Sequence, residues 1–384
     1  MIYLDYAASN PIDSRVQTEL AESLNLVGNP SAVHAFGRLA REKIDEARAK
    51  VAALLHVALR DVTFTSGATE ANNLALLGYF RRLRELYGPE RELRLLVSTI
   101  EHSSIRGTLG RLAVESNVTV DRLPVGADGV VQTDSLPTLI TETTVMVCVM
   151  WVNNVIGSVQ PIDELARAVE AERQKRGLNG LPLVLMSDAV QALRTEDVQP
   201  NESGVDILTM SSHKIYGPKG CGALYVRTGV ELAPLLTGGE QEDGLRAGTE
   251  NLLGIIGLGR AAELLAVERT VDRTMILELS RQLRDGLRSI SNLDVMGDET
   301  QTTPGILYVT SRRDSGDVLT VKLDVAGVAV SSGAACDAGT RKTDAVLREI
   351  GSGQAAKRGG IRISLGRFTT VEDIATVIRV LKNI

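Results

Sequence analysis

The pattern of apolar and polar positions divides the first two thirds of the chain into short apolar runs and longer amphipathic segments. The short runs indicate buried strands, and the longer segments place apolar residues three or four positions apart, as helices do. Since the two alternate, the pattern predicts an α/β fold with a mainly parallel, mixed sheet and helices on both faces. The predicted strands are Val62–Thr65, Leu95–Thr99, Val118–Asp121, Thr144–Met150, Leu181–Met186, Asp206–Met210 and Gly222–Val226. The predicted helices are 13–27, 35–56, a segment that follows Glu70 and ends near Phe80, 106–115, 133–141 and 162–176.

The last third of the chain has a different organisation. A long helical segment, 251–289, carries several glycines, so we expect it to break or bend. The strands and helices after it predict a smaller α+β domain: strands Ile306–Val309, Val328–Ser331 and Ile361–Ser364, and helices 316–326, 344–350 and one from Val371. We place the domain boundary near residue 260. Residues 13–260 form the predicted large domain, and 1–12 with 261–384 form the small one.

Composition narrows the class of protein. The 384 residues carry a net charge of −6 and no basic run, so we expect no direct binding of nucleic acid. No signal peptide is predicted, and no apolar run reaches the ~18 residues that indicate a membrane span. The three cysteines, Cys148, Cys221 and Cys336, are widely spaced and odd in number, which favours neither a disulfide framework nor a metal site. These features predict a globular protein of the reducing cytoplasm.

The segment Ser211–Gly220 contains the first candidate for chemistry, Lys214. It follows a predicted buried strand, and open α/β sheets bind their ligands at such strand ends. A lysine held there can lose its proton through desolvation and attack a carbonyl. The alternative is a solvated loop lysine, as expected for Lys219.

Four other candidates stand at predicted strand ends or helix starts: Gly67–Thr69, His102, Asn154 and Asp188. Each has a structural alternative, since such residues also form turns and cap helices. Together with Lys214, however, they suit one ligand, pyridoxal phosphate. The lysine can form an imine, the acid can hold the ring nitrogen and the helix start can bind the phosphate, while the asparagine bonds the phenolic oxygen and the histidine stacks on the ring.

With these residues in place, the chain resembles the cysteine desulfurases of the NifS/IscS type, within the class V aminotransferase group of pyridoxal-phosphate enzymes. The resemblance covers nearly the whole chain. It rests on the segments Tyr3–Ala8, Gly28–Ser31, Thr65–Glu70, Glu101–His102, Val152–Asn154, Asp188–Gln191, Ser212–Gly220, Arg246–Thr249 and Ser331–Cys336. It implies the fold of pyridoxal-phosphate-dependent transferases, fold type I.

The resemblance also implies a role for each candidate residue. Lys214 would be the Schiff-base lysine, and His102 would stack on the cofactor ring and assist proton transfer. Arg362 would bind the substrate carboxylate, together with Asn154, and Cys336 would accept the sulfur. The remaining implied cofactor contacts are Ala68, Thr69, Ser211 and His213 at the phosphate, Asp188 at the ring nitrogen, and Gln191 and Asn154 at the phenolic oxygen. Thr249 would reach the phosphate of the second subunit of a homodimer.

The implied function is conversion of L-cysteine to L-alanine, with the sulfur left on Cys336 as a persulfide for an acceptor protein. That acceptor could serve iron–sulfur assembly, tRNA thiolation, cofactor sulfuration or DNA phosphorothioation. The sequence departs from the family pattern at Glu240, Asp243, Ala334 and Asp337, and it ends soon after the last predicted helix. The alternatives are selenocysteine lyase or another class V aminotransferase activity, and a cofactor-binding scaffold without catalysis.

Overall fold

The computed structural model describes residues 1–332 and 345–384. A seven-stranded sheet forms the centre of the larger part of the molecule. Its strands are β2 (Val62–Thr65), β3 (Leu93–Ser98), β4 (Val118–Leu123), β5 (Thr144–Cys148), β6 (Val184–Asp188), β7 (Ile207–Ser211) and β8 (Gly222–Val226). In space they run in the order β2-β8-β7-β6-β5-β3-β4, and only β8 lies antiparallel to its neighbours. The mainly parallel mixed sheet predicted from the sequence is confirmed.

Helices cover both faces of this sheet. They are α1 (Ser14–Ser23), α2 (Ala35–Leu55), α3 (Ala68–Asn73), α4 (Tyr79–Tyr87), α5 (Ser103–Glu115), α6 (Leu136–Leu139), α7 (Ile162–Arg176) and α8 (Leu252–Arg288). A π-helical segment, Leu74–Gly78, joins α3 to α4. The predicted helix 133–141 is wrong in extent, because a 3-10 turn at Thr133–Ser135 precedes the short α6. The predicted helix 13–27 ends four residues early, at Ser23.

The two faces of the sheet bury two separate apolar clusters. Leu95 and Met146 belong to one cluster, and their neighbours Leu96 and Val147 belong to the other. Successive side chains of a strand point to opposite faces, so a continuous apolar run satisfies both clusters at once. This is why the central strand β5 is buried at every position, whereas the edge strand β4 is partly exposed and mixes apolar with polar residues.

Helix α8 corrects one prediction, since it runs without interruption for 37 residues. Its glycines do not break it. A Cβ at Gly259 would lie 2.6 Å from Cα of Ala47 in α2, and one at Gly257 would lie 2.8 Å from Cδ of Pro218. The glycines therefore allow close packing of neighbouring segments, and this packing outweighs their low helix propensity.

The C-terminal part contains a second sheet of four strands, in the order β12-β13-β10-β9. These are β9 (Leu293–Met296), β10 (Ile306–Ser311), β12 (Ser331–Ser332) and β13 (Gly360–Ser364), and they accompany α9 (Gly316–Val325), α10 (Ala345–Glu349), α11 (Gly353–Arg358) and α12 (Val371–Asn383). Strand β1 (Ile2–Tyr3) pairs with β11 (Val328–Ala329) beside it. The sequence analysis missed β9 and α11, and it merged β11 with β12.

The N-terminal segment belongs with this second sheet, because Leu4 lies in the same apolar cluster as Leu307 and Ile363. Helix α8 contributes to both parts: Ile255 packs in a cluster of the large sheet, and Ile276 packs in the cluster of the second sheet. A domain boundary near residue 260 stays a prediction. Among helices in the described parts of the chain, none is long and apolar enough to span a membrane.

Candidate active site

A cavity of about 640 Å³ opens at the carboxyl ends of the parallel strands, between the large sheet and the second sheet. Strand β6 ends there at Asp188, β7 ends there at Ser211, and β13 contributes Arg362 from the other side. Ten of the twelve residues predicted for the site line this cavity: Ala68, Thr69, His102, Asn154, Asp188, Gln191, Ser211, His213, Lys214 and Arg362. The fold therefore brings together residues that lie up to 294 positions apart in the sequence, from Ala68 to Arg362.

The two remaining candidates are not placed in the cavity. Thr249 is exposed and does not line it. Cys336 lies outside the described residues, as do Ala334 and Asp337. Their predicted roles stay predictions.

Lys214 follows strand β7 in a 3-10 turn, and its amine is half-buried at the cavity wall. Nζ donates to the carbonyl oxygen of Ala7 and, at 2.9 Å, to that of Ala8. Asn10 donates to the backbone carbonyl of Lys214 at 2.5 Å. The N-terminal segment therefore fixes both ends of the lysine. Sequence reasoning gave Ala7 and Ala8 no role in holding the lysine, because they contact it through their backbone carbonyls.

The turn before α3 presents the start of a helix to the cavity. Gly67 caps α3 with φ +151°, a conformation that L side chains rarely adopt. Glu70 then accepts from the backbone N–H of Ser66 at 2.7 Å and pairs with Arg246 at 2.8 Å. Ala68 and Thr69 are the first two helical residues, and their N–H groups have no partner within the helix. This end of the cavity can bind an anion.

Asp188 is buried, with 4% of its surface exposed. Its Oδ2 accepts from Asn72 at 2.9 Å, and its Oδ1 accepts from the backbone N–H of Val190 at 3.0 Å. Asn72 in turn contacts Ser104 and Thr209 by hydrogen bonds of 2.9 and 2.8 Å. Sequence analysis missed Asn72, whose position one helical turn after Ala68 on α3 is the only signal that could have found it.

His102 both caps α5 and lines the cavity. Its Nδ1 accepts from the backbone N–H of Ser104 at 3.2 Å and lies 2.8 Å from Oγ of the same residue. Because a backbone N–H can only donate, Nδ1 carries no proton, and the neutral side chain holds its proton on Nε2. His102 can therefore cap α5 and contribute to the site at the same time.

The imidazole of His213 and the side-chain amide of Gln191 also line the cavity. His213 lies 3.3 Å from the hydroxyl of Ser9 through Nδ1, and burial, followed by the charges of Lys214 and Lys219, lowers its pKa to about 4. The side chain of His213 is therefore neutral near pH 7. Gln191, on the same wall, donates from Nε2 to the carbonyl of Ala7 at 2.8 Å.

Arg362 is buried, with 6% of its surface exposed, and reaches the cavity from β13. Its Nη1 donates to the carbonyl of Asn154 at 2.7 Å, and its Nη2 donates to Oδ1 of Asp5 at 3.0 Å and to Oγ of Ser331 at 3.2 Å. Its Nε is buried and has no hydrogen-bond partner among the described residues. A buried, unsatisfied donor is costly, so this face is ready for an acceptor.

Glu101 lies behind His102 and is fully enclosed. Its Oε1 accepts from the backbone N–H of Met150 at 2.7 Å and from the hydroxyl of Ser98 at 2.5 Å, and its Oε2 has no partner in the described structure. Burial raises the pKa of this carboxyl to about 8. Glu101 is thus mostly protonated at neutral pH.

The loop that departs from the family pattern is anchored away from the cavity. Glu242, between Glu240 and Asp243, has φ +49° and is buried. It accepts two bonds of 2.8 Å from Arg48 and one of 2.9 Å from the backbone of Phe64. Asp243 is exposed and also has a positive φ of 55°. Within the described residues, no cluster of three or more His, Cys, Asp or Glu could hold a metal ion.

This fold and site define the class of protein. The chain belongs to the class-V aminotransferase family, whose profile matches residues 2–377. Relatives with curated names are cysteine desulfurases. The chain is 36% identical to cysteine desulfurase IscS 1 of Archaeoglobus fulgidus, over 100% of this chain and 97% of that protein. It is 35% identical to cysteine desulfurase IscS of Dictyoglomus turgidum, over 100% of this chain and 94% of that protein.

Solved structures agree with this assignment. A NifS-like protein is 30% identical with a TM-score of 0.90, covering 100% of this chain and 98% of its own. SspA, solved in complex with cysteine, is 30% identical with a TM-score of 0.81, covering 96% of this chain and 100% of its own. The expected fold, that of pyridoxal-phosphate-dependent transferases of fold type I, is confirmed by these neighbours.

Proposed function

We propose that this protein is a pyridoxal-phosphate-dependent L-cysteine desulfurase that converts L-cysteine to L-alanine. The observation that carries the proposal is the shared cavity of Lys214, Asp188 and Arg362, in which Nε of the arginine is buried and has no partner in the described part of the chain. An amino-acid substrate reacts through its amine and needs a cation to bind its carboxylate. Lys214, where the amine would react, and Arg362, the cation, lie on facing walls of the cavity. The likeness to cysteine desulfurases supports cysteine as the substrate.

The residues present fit the cofactor. Lys214 would hold pyridoxal phosphate covalently through Nζ, and the buried carboxylate of Asp188 would pair with its ring nitrogen. Ala68, Thr69, Ser211 and His213 would bind its phosphate at the start of α3. The remaining contacts would be His102 on the ring, with Asn154 and Gln191 at the phenolic oxygen. When bound, the cofactor supplies an electron sink for the bonds at the substrate α-carbon.

The protein's own groups would then orient the substrate and move protons. Arg362 would bind the carboxylate through Nε, for which the described residues offer no partner, and through Nη2, in the two-pronged geometry of arginine. His102 would give a proton from Nε2, since its Nδ1 is engaged by the backbone of Ser104. Asn72 and the backbone of Val190 would keep the carboxyl group of Asp188 oriented in the cavity.

Cys336 would accept the sulfur as a persulfide. The two cysteines of the described chain are unsuited to this role. Burial raises the pKa of Cys148 far above its ordinary value and that of Cys221 to about 12. Neither is a thiolate near neutral pH, and the thiolate is the nucleophile in sulfur transfer. The persulfide would pass to an acceptor protein, and the enzyme would act as a homodimer in the cytoplasm.

Two lysine variants test the proposal, because Lys219 lines the same cavity but is exposed. With L-cysteine as substrate, the wild-type protein should yield alanine and a sulfur adduct on Cys336, detected by mass spectrometry. Lys214→Ala should abolish both, whereas Lys219→Ala should keep the bound cofactor and alanine formation. A keto acid product would indicate an aminotransferase instead. A sulfur adduct on Cys148 or Cys221 would contradict the role of Cys336.

A further inference from the structure

Arg362 is held by acceptors from three separate segments. The carbonyl of Asn154 follows strand β5, Ser331 opens strand β12, and Asp5 lies in the N-terminal segment. Asp5 and Ser331 are also bonded to each other, since the serine hydroxyl lies 2.9 Å from each carboxylate oxygen of Asp5. The side chains of Asp5, Ser331 and Arg362 therefore form a closed triangle, here called the Asp5 triangle.

In the Asp5 triangle, Asp5 and Ser331 both accept from Nη2 of Arg362, the nitrogen that a two-pronged carboxylate contact requires. A carboxylate binds a guanidinium through two adjacent N–H groups, either on Nε and Nη2 or on Nη1 and Nη2. Both arrangements use Nη2. This nitrogen has two N–H groups, and it has two acceptors, Oδ1 of Asp5 at 3.0 Å and Oγ of Ser331 at 3.2 Å. A substrate carboxylate can therefore bind to Nε directly, but it must displace an acceptor at Nη2.

Charge decides which acceptor opposes the substrate. Asp5 forms an ion pair with Arg362, in which the side chains are 19% and 7% exposed. At this burial the two charges are poorly screened, so a second carboxylate meets both the attraction of Arg362 and the repulsion of Asp5. Ser331 is neutral and adds no such repulsion.

The backbone of Asp5 cannot move away easily. It forms a β-bridge with Ser364 of β13, the strand that carries Arg362. Ser364 also accepts the backbone N–H of Ala7 at 2.9 Å through its hydroxyl. Asp5 is thus fixed beside Arg362, and its carboxylate can rotate but cannot leave.

We propose that Asp5 sets the affinity of the site for carboxylates, because it competes with the carboxylates of substrate and product for Nη2 of Arg362. In the empty enzyme the Asp5 triangle keeps a buried guanidinium paired. A bound carboxylate takes over Nη2, and Asp5 returns to it when L-alanine leaves. Substrate and product carry the same carboxylate, so Asp5 weakens the binding of both and speeds product release. The inference rests on the proposed function for the role of Arg362.

The substitution Asp5→Asn tests this inference, since it removes the charge and keeps the shape. The cofactor-loaded enzyme should bind 3-mercaptopropionate, which has the carboxylate but no amine, about tenfold more tightly by calorimetry. The KM for L-cysteine and the inhibition constant of L-alanine should fall with it. Cysteamine, which lacks the carboxylate, should bind as it does to the wild type. Asp5→Glu should restore weak carboxylate binding.

Asp294→Asn is the matched control, because Asp294 pairs with Arg312 on the surface of the same sheet and the substitution removes the same charge. It should leave carboxylate binding unchanged. Unchanged or weaker binding of 3-mercaptopropionate to Asp5→Asn would overturn the inference, as would an equal gain for cysteamine. The calorimetric measurement needs no turnover. A protein that binds carboxylates as expected but makes no alanine would therefore contradict the proposed function and leave this inference standing.

Discussion

Two ionisable side chains next to the cavity are held neutral by burial, although one is an acid and the other a base. Burial disfavours the charged form of each, which raises the pKa of Glu101 to about 8 and lowers that of His213 to about 4. Neither group adds a net charge at pH 7. The Asp, Glu, Lys and Arg side chains that line the cavity are Glu70, Asp188, Lys214, Lys219 and Arg362. Of these, Asp188, Lys214 and Arg362 each have a proposed partner in the cofactor or substrate.

The buried Glu101 predicts a pH dependence of stability. Between its ordinary pKa of 4.5 and its folded value of about 8, the unfolded chain loses the proton while the native protein keeps it. The native state therefore loses stability as the pH rises through this window. Glu101→Gln, which mimics the protonated acid, should gain more than about 1 kcal/mol relative to the wild type between about pH 5 and pH 8. Urea unfolding at both pH values measures this gain. An equal difference between the two proteins at both pH values would contradict a raised pKa.

At the scale of single residues, the sequence predicted functional side chains but not the groups that hold those side chains in place. Lys214 and Asp188 could be predicted because each charged residue stands at or just past the end of a buried strand, where open α/β sheets bind their ligands. Asp5 was given no role, since it stands in an extended N-terminal segment that contributed to the family resemblance but carried no pattern pointing to Arg362. Its contact with Arg362 joins residues 357 positions apart. The carbonyls of Ala7 and Ala8, which bind Lys214, carry no sequence signal at all.

At the scale of elements, local patterns predicted the large sheet well and the second sheet less well. The inner strands β5, β6 and β7 are buried at every position, so their apolar runs are easy to recognise in the sequence. Strand β9 is only partly buried and contains Asp294, and α11 is a six-residue helix between glycines. Such short or half-exposed elements depend on tertiary contacts. The prediction that α8 breaks or bends was wrong for the same reason. Its glycines allow close packing against neighbouring segments, which a local sequence pattern does not show.

Helix α8 therefore gives a prediction that opposes helix propensity. Gly259→Ala adds a better helix former, worth about 1 kcal/mol, but its Cβ would meet the backbone of α2 at Ala47. We expect a net loss of about 1–3 kcal/mol in the free energy of unfolding, because backbone cannot yield as a flexible side chain does. Gly107→Ala in α5 is the control, since among the described residues no atom beyond the surrounding helical backbone lies within 4 Å of a Cβ placed there. Thermal and urea unfolding compare the two. If Gly259→Ala were as stable as Gly107→Ala, the close packing of α2 on α8 would be refuted.

At the scale of the whole molecule, the loop after β13 ties the two sheets to the lysine. Arg367 donates to Asp272 of α8 at 2.6 Å and to Asp13 at 2.8 Å, and its guanidinium lies 4.2 Å from the ring centroid of Tyr216. Tyr216, two residues after Lys214, has φ +68° and accepts from the backbone N–H of Arg367 at 2.9 Å. The position of the lysine thus depends on both sheets at once, which no local sequence pattern could reveal.

The last prediction concerns a second copy of the chain. The loop of Thr249 is anchored at the anion-binding end of the cavity, because Arg246 pairs with Glu70 of α3. Thr249 itself is exposed and outside the cavity of its own chain, which is the placement expected of a residue that serves the other subunit. Separately, Lys214→Ala and Thr249→Ala should both lose activity. Mixed at equal amounts after subunit exchange, they should recover activity at about one quarter of the sites, since half of the dimers are mixed and each has one intact site. Lys214→Ala mixed with Asp188→Ala is the control, because both residues line the same cavity and no intact site can form. Recovery no greater than the control would show that Thr249 does not act across subunits.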